Sequence, residues 1–156
     1  MNTKTLKITA DDFGLLAAEY LAQGITIRFK AAGTSMHPSI QNGDLLSVIP
    51  PDKNSLKWGD IILYRIKNSN NLIAHRIIFI RKKDSDKIIY TRGDALGGEL
   101  EQINPENILG KVIKVEHNGT AKIIGKTGDR IKGILRALRQ SLRHKYIQAK
   151  NILPPP

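Results

Sequence analysis

Three side chains of this sequence can do hydrolytic chemistry together if the fold brings them into contact: Ser35, His75 and Asp94. Ser35 stands in "GTSMHPSI" (33–40), where Gly33 permits a tight backbone approach and Pro38 stiffens the exit. A hydroxyl held beside free backbone N–H groups is what an oxyanion hole requires, yet a serine attacks nothing until a base takes its proton. His75, in "LIAHRIIFI", shares a face with Ile73, Ile77 and Phe79 if strand alternation holds. It is then either a satisfied core histidine or a general base of near-neutral pKa on a rigid strand. Asp94 closes "YTRGD" and is either a turn residue with a local hydrogen bond or the carboxylate that orients a histidine. His37 is too near Ser35 along the chain to serve it, and His117 and His144 read as surface groups of a hairpin and of the tail. Four scattered histidines with no HExxH spacing, and no cysteine, lead to the expectation of no metal and no cofactor.

The elements that must position these groups are short. The chain has 156 residues, enough for one domain with a real core. Asp11 or Asp12 can cap a helix over 12–22, with Phe13, Leu16, Ala17, Tyr20 and Leu21 along one side and Gly24 at its end. Strands are expected in "ITIRFKAAG", "DLLSVIP", "GDIILYRI", "LIAHRIIFI", "KIIYTRGD", "ILGKVIKVE" and "TAKIIGK", the last two joined by Asn118-Gly119, a strong hairpin signal. Such a run with no long crossover helix predicts a mainly β, antiparallel domain. Four Gly-Asp pairs, at 43–44, 59–60, 93–94 and 128–129, read as turns or a helix start, and only the third also invites a catalytic role.

The formal charge is +11, and from Asp129 onward seven Lys/Arg stand against one acid. There "DRIKGILRALRQSLRHKYIQ" places Ile131, Ile134, Leu135, Leu138 and Leu142 on one face and basic residues over much of the rest, a basic amphipathic helix. That organisation gives a β domain with its N-terminal helix at 1–127, a helix at 128–150 and a flexible tail at 151–156. The helix either packs its apolar face on the β body or meets an anionic membrane or acidic protein. No signal peptide and no apolar run long enough to span a membrane is visible, so a cytoplasmic protein, peripheral to membrane at most, is expected.

Taken in order, "GTSMHPSIQNGDLLSV", "LKWGDIILYR", "LIAHRII" and "YTRGDA" resemble the signal peptidase I-like S24/S26 serine protease superfamily, from about Gly33 to Val115. The resemblance implies compact, bent antiparallel sheets of the signal peptidase/LexA catalytic-domain type. Ser35 matches the nucleophile of the Ser-Met-x-Pro motif, with Met36 and Pro38 in register. His75 stands where bacterial enzymes carry lysine and the archaeal and endoplasmic-reticulum type carries histidine, and Asp94 matches the Gly-Asp motif. That second type often has a further aspartate, where this sequence offers Glu99 and Glu101 as alternative acidic partners. Gly33 replaces a hydroxyl residue that some relatives contribute to the oxyanion hole, so Gly33, Thr34, Met36 and Pro38 form the implied oxyanion and substrate groove.

The expected function is a serine endopeptidase that processes a precursor or leader peptide, with Ser35 attacking, His75 as base and Asp94 orienting it. Two other readings stand beside it: a non-catalytic peptide- or partner-binding module of the same fold, and a basic nucleic-acid-binding module. The last ranks lowest because three Phe, four Tyr and one Trp make no basic-aromatic ladder.

Overall fold

The computed structural model describes residues 9–152 apart from 67–68, 84–85 and 97. Among these, eight strands form one antiparallel sheet between an N-terminal and a C-terminal helix, as the alternating segments predict. The elements are α1 (Ala10–Ala22), β1 (Ile27–Lys30), β2 (Leu45–Ile49), β3 (Ile61–Arg65), β4 (Leu72–Lys83), β5 (Asp86–Arg92), β6 (Glu101–Ile103), β7 (Ile108–His117), β8 (Thr120–Ile123) and α2 (Thr127–Ile152). The sheet order is β1-β2-β7-β3-β4-β5-β6, with β8 on β7. Register shifts at Ser47/Val48, Leu63/Tyr64 and Ile77/Phe79 interrupt three of the ladders. Each bends its strand and increases the local twist.

Strand β3 is buried on both faces, which is why "IILY" reads as an unbroken apolar run. Ile61 and Leu63 join Leu46, Val48, Val112 and Met36 in one core cluster. Ile62 and Tyr64 join Ile77, Ile89, Ile103 and Ile108 in the other. Each fully buried branched side chain contributes about 1.5–3 kcal/mol of transfer free energy, so the two clusters fix β3 and the strands on either side of it.

Several expectations are corrected. Thr9, not Asp11 or Asp12, caps α1, its hydroxyl accepting the Asp12 N–H at 3.1 Å. The face of α1 turned inward is Gly14, Ala17 and Leu21, while Leu16 and Tyr20 are exposed. A Cβ at Gly14 would stand 1.9 Å from the Asn70 carbonyl oxygen, so this glycine lets the helix lie directly on the β3–β4 connection. Alternation along β4 fails after Ile77, where the bulge turns Phe79 outward to stack on Tyr90. Strand β6 was not foreseen. Helix α2 runs through Ile152, past the expected end at 150, and residues 153–156 of the expected tail lie outside the described residues.

The apolar face of α2 does not cover the sheet. Gly133 lies on the body, where a Cβ would meet the Arg76 guanidinium at 2.4 Å. Arg130 donates to the fully buried Asp60 at 2.8 Å, and Arg136 to the Ser39 hydroxyl at 2.7 Å. Lys111 completes the Asp60 site at 2.9 Å. The Gly-Asp pair at 59–60, read as a simple turn, is the anchor of the helix. Arg130 and Lys111 together neutralise the buried Asp60 carboxylate, and a charge taken out of water has to be paired in this way.

Candidate active site

The sequence around Ser35 forms a series of turns between β1 and β2. Gly33, at φ +93°, takes a conformation that a side chain would oppose. Ser35 is exposed, while the adjacent Met36 is buried in the core and ties the turn to it. His75 lies on β4 opposite Ile62 of β3, a rigid mount in the centre of a hairpin. These two elements bring the Ser35 hydroxyl within 3.1 Å of His75 Nε2, forty positions apart in the chain.

The other ring nitrogen faces Tyr64, a residue that no sequence pattern singles out. The Tyr64 hydroxyl lies 3.1 Å from His75 Nδ1 and donates a short hydrogen bond to Glu101. The second Glu101 oxygen stands 3.7 Å from the same Nδ1. An ionised carboxylate only accepts, so the single phenol proton goes to Glu101 and the phenol oxygen accepts from Nδ1–H. Nε2 then presents its lone pair to Ser35. Burial, followed by the Glu101 hydrogen bond, pushes the Tyr64 pKa well above its ordinary value, so the phenol stays protonated. Burial likewise lowers His75 below 6.5, partly opposed by the negative charges of Glu101 and Asp94. His75 is therefore neutral at neutral pH, the state in which it can accept a proton.

Asp94 is placed differently from the orienting role expected of it. Its two oxygens receive Arg76 Nε at 2.8 Å and Nη2 at 2.6 Å, and both residues are buried. Arg76 also donates to the Gly59 carbonyl and to Ser39. The acidic group beside His75 Nδ1 is Glu101, the alternative named from sequence, while Glu99 is exposed. The turn that carries Asp94 packs against the serine through its neighbours Gly93 and Ala95. The Ala95 amide donates to the Ser35 carbonyl at 2.8 Å, and a Cβ on Gly93 would stand 2.4 Å from that carbonyl oxygen and 3.2 Å from His75 Nε2. The Gly-Asp pair at 93–94 therefore matters for its glycine as much as for its acid.

Ser35 and His75 line a groove of about 670 Å³ together with Phe13, Phe29, Ala31, Leu63, Leu72 and Ala74, among others. Gly33 and Met36 line it too, whereas Thr34 and Pro38 do not. No group of three or more potential metal ligands occurs among the described residues.

No family model and no solved structure matches the chain. Curated relatives do. The signal peptidase complex catalytic subunit SEC11 of Scheffersomyces stipitis is 35% identical over 60 residues, covering 38% of this chain and 36% of the relative. The protein of that name from Zygosaccharomyces rouxii is 32% identical over 66 residues, 42% of this chain and 39% of the relative. The human subunit SEC11C is 31% identical over 61 residues, 38% of this chain and 32% of the relative. This chain is signal-peptidase-like in fold. The matched part spans 32% to 39% of the length of those relatives. No helix among the described residues is long and apolar enough to cross a membrane.

Proposed function

We propose that this chain is a serine endopeptidase of signal-peptidase-like type that cleaves a precursor or leader peptide. The observation that carries the reading is the Ser35 hydroxyl 3.1 Å from His75 Nε2 in the wall of a largely apolar groove. Ser35 attacks the scissile carbonyl carbon as its proton passes to His75 Nε2. His75 returns that proton to the departing amine, leaving an ester on Ser35. Water then attacks the ester, giving its proton to His75, and the restored serine releases a carboxylic acid. The amide of Ser35 donates to no acceptor among the described residues and serves the developing oxyanion. Glu101 acts through Tyr64, holding Nδ1–H and stabilising the imidazolium formed during attack, while Asp94 positions the turn under Ser35.

The groove supports an extended peptide as the substrate. Among the described residues β1 pairs only with β2, and β4 acquires its β5 partner only from Arg76 onward, so Phe29–Lys30 and Leu72–His75 offer strand edges along the same groove. Backbone pairing gives register there, and the apolar lining accepts uncharged side chains.

The test uses a mixed-sequence peptide library incubated with wild-type and Ser35→Ala protein, with new termini located by mass spectrometry. Cleavage by wild type alone is expected, since removing a serine-protease nucleophile costs on the order of 10⁶ in kcat. Equal cleavage by both proteins overturns the assignment.

A further inference from the structure

Helix α2 is amphipathic in the opposite sense to a helix that seals a core. At 100° per residue, Ile131, Leu135, Leu138 and Leu142 fall within about 60° of arc. All four are exposed, from 43% at Ile131 to 70% at Leu142. The residues that bind the body, Arg130, Gly133 and Arg136, lie on the other side of the helix and hold it there by hydrogen bonds and close backbone packing. Rotation to bury the leucines would break the Arg130–Asp60 and Arg136–Ser39 contacts together. The stripe is thus fixed outward by the fold.

Along one flank of the stripe run Lys132, Arg139 and Arg143, all exposed. Asp129, at the first turn, is the only acidic residue in the helix, and it is paired with Lys122 at 3.1 Å. An apolar ridge bordered by cations complements a surface that is apolar a few ångströms below an anionic layer. We propose that the outward face of α2 docks the domain on an anionic lipid surface, the four aliphatic side chains entering the headgroup boundary and the three cations meeting lipid phosphates and carboxylates. Neither component suffices alone: isolated leucines give no preference for charge, and isolated cations give attraction that salt removes. The inference stands independently of the peptidase reading, since none of the docking residues touches Ser35 or His75.

The experiment is sedimentation of the full-length protein with phosphatidylcholine–phosphatidylserine vesicles and with pure phosphatidylcholine vesicles, at low and moderate salt. Wild type is expected to bind the anionic vesicles at least tenfold more tightly than the neutral ones, and less tightly as salt rises. The double variant Leu135→Glu/Leu138→Glu should lose at least tenfold in affinity, and Leu135→Ala/Leu138→Ala, which keeps helix propensity, should lose several-fold. Arg139→Gln/Arg143→Gln should lower the affinity and flatten the salt dependence. Circular dichroism and retained melting temperature show that the variants fold. Absence of wild-type binding, or equal binding by the leucine variants, overturns the proposal. So do salt-sensitive binding to RNA or to polyglutamate with no preference for vesicles, which assigns the cations to a soluble polyanion, and a concentration-dependent dimer abolished by the leucine variants, which assigns the ridge to a second copy.

Discussion

Asp94 and Glu101 both bear on the electrostatics of His75, but they are held by unlike means. Asp94 is fully buried and gives both oxygens to Arg76, which also donates to Gly59 and Ser39. Glu101 sits on the three-residue strand β6, its side chain 38% exposed, and reaches the ring through the Tyr64 hydroxyl. The first region is a closed ion pair in the interior, which tolerates no loss of a partner. The second is a half-open chain of hydrogen bonds whose charge is screened by water and can change with little harm to the fold. The same type of group serves as a structural lock in one place and as a tuner of a histidine in the other. Burial and satisfied hydrogen bonds make that difference, not distance along the chain.

The comparison breaks most visibly at Asp94. Asp94→Asn leaves the Arg76 guanidinium buried without its counter-charge, and removing one partner of a buried pair costs about 3–5 kcal/mol. That is a large share of the roughly 5–15 kcal/mol that stabilises a domain. A pronounced fall in the denaturation midpoint is expected, with activity lost alongside the fold. A midpoint equal to wild type would show that the pair is not a lock.

Tyr64→Phe should act in the reverse order. Removing the phenol oxygen takes away the acceptor that fixes Nδ1–H, so kcat on a cleaved peptide should fall on the order of tenfold to a hundredfold, within the range general-base contributions span. KM should change little, because Tyr64 does not line the groove. The stability cost is about 1–3 kcal/mol from the Glu101 and His75 groups left short of a partner. Nitrogen-15 spectra of His75 read the same interaction without a substrate: the Nδ1–H form should dominate in wild type and lose its dominance in the variant. An unchanged kcat and an unchanged tautomer would together remove Tyr64 from the proposed role.

Glu101→Gln should give the smallest effect and the most diagnostic one. Activity requires neutral His75, so kcat/KM falls as pH drops through its pKa, which lies below 6.5. The Glu101 charge raises that pKa. Deleting the charge lowers it further, so the acid limb of the profile should move to lower pH while the plateau drops by up to about tenfold. An acid limb that moves upward, or not at all, would place the acidic influence on His75 elsewhere.

Much of this was legible from the chain because it depends on local pattern. Alternation in "ITIRF" places strand β1, and the Asn118-Gly119 turn, with both residues at positive φ, joins β7 and β8 as expected. Strand β6 escaped because Glu101–Ile103 is too short to show a period. Strand β6 delivers the carboxylate to Tyr64, so the sequence left Glu101 as an alternative to Asp94 without deciding between them. Tyr64 was hidden by its strand: "IILYR" reads as core, and only the β3–β4 register, Ile62 opposite His75 and Tyr64 opposite Ile73, sets the phenol diagonally beside the imidazole.

Sequence alone determined the segments, their turns and the residue types able to do chemistry, since backbone preference and side-chain period are properties of neighbours in the chain. It determined the amphipathic character of α2 for the same reason. Only tertiary structure decided which way that helix faces and which carboxylate each cation and histidine receives. Those choices depend on the burial of Asp60 and Asp94, whose charges must be matched from distant segments once water is excluded. Arg76 and Arg130 supplied the match, and in doing so they left Glu101 to Tyr64 and turned the leucines of α2 outward.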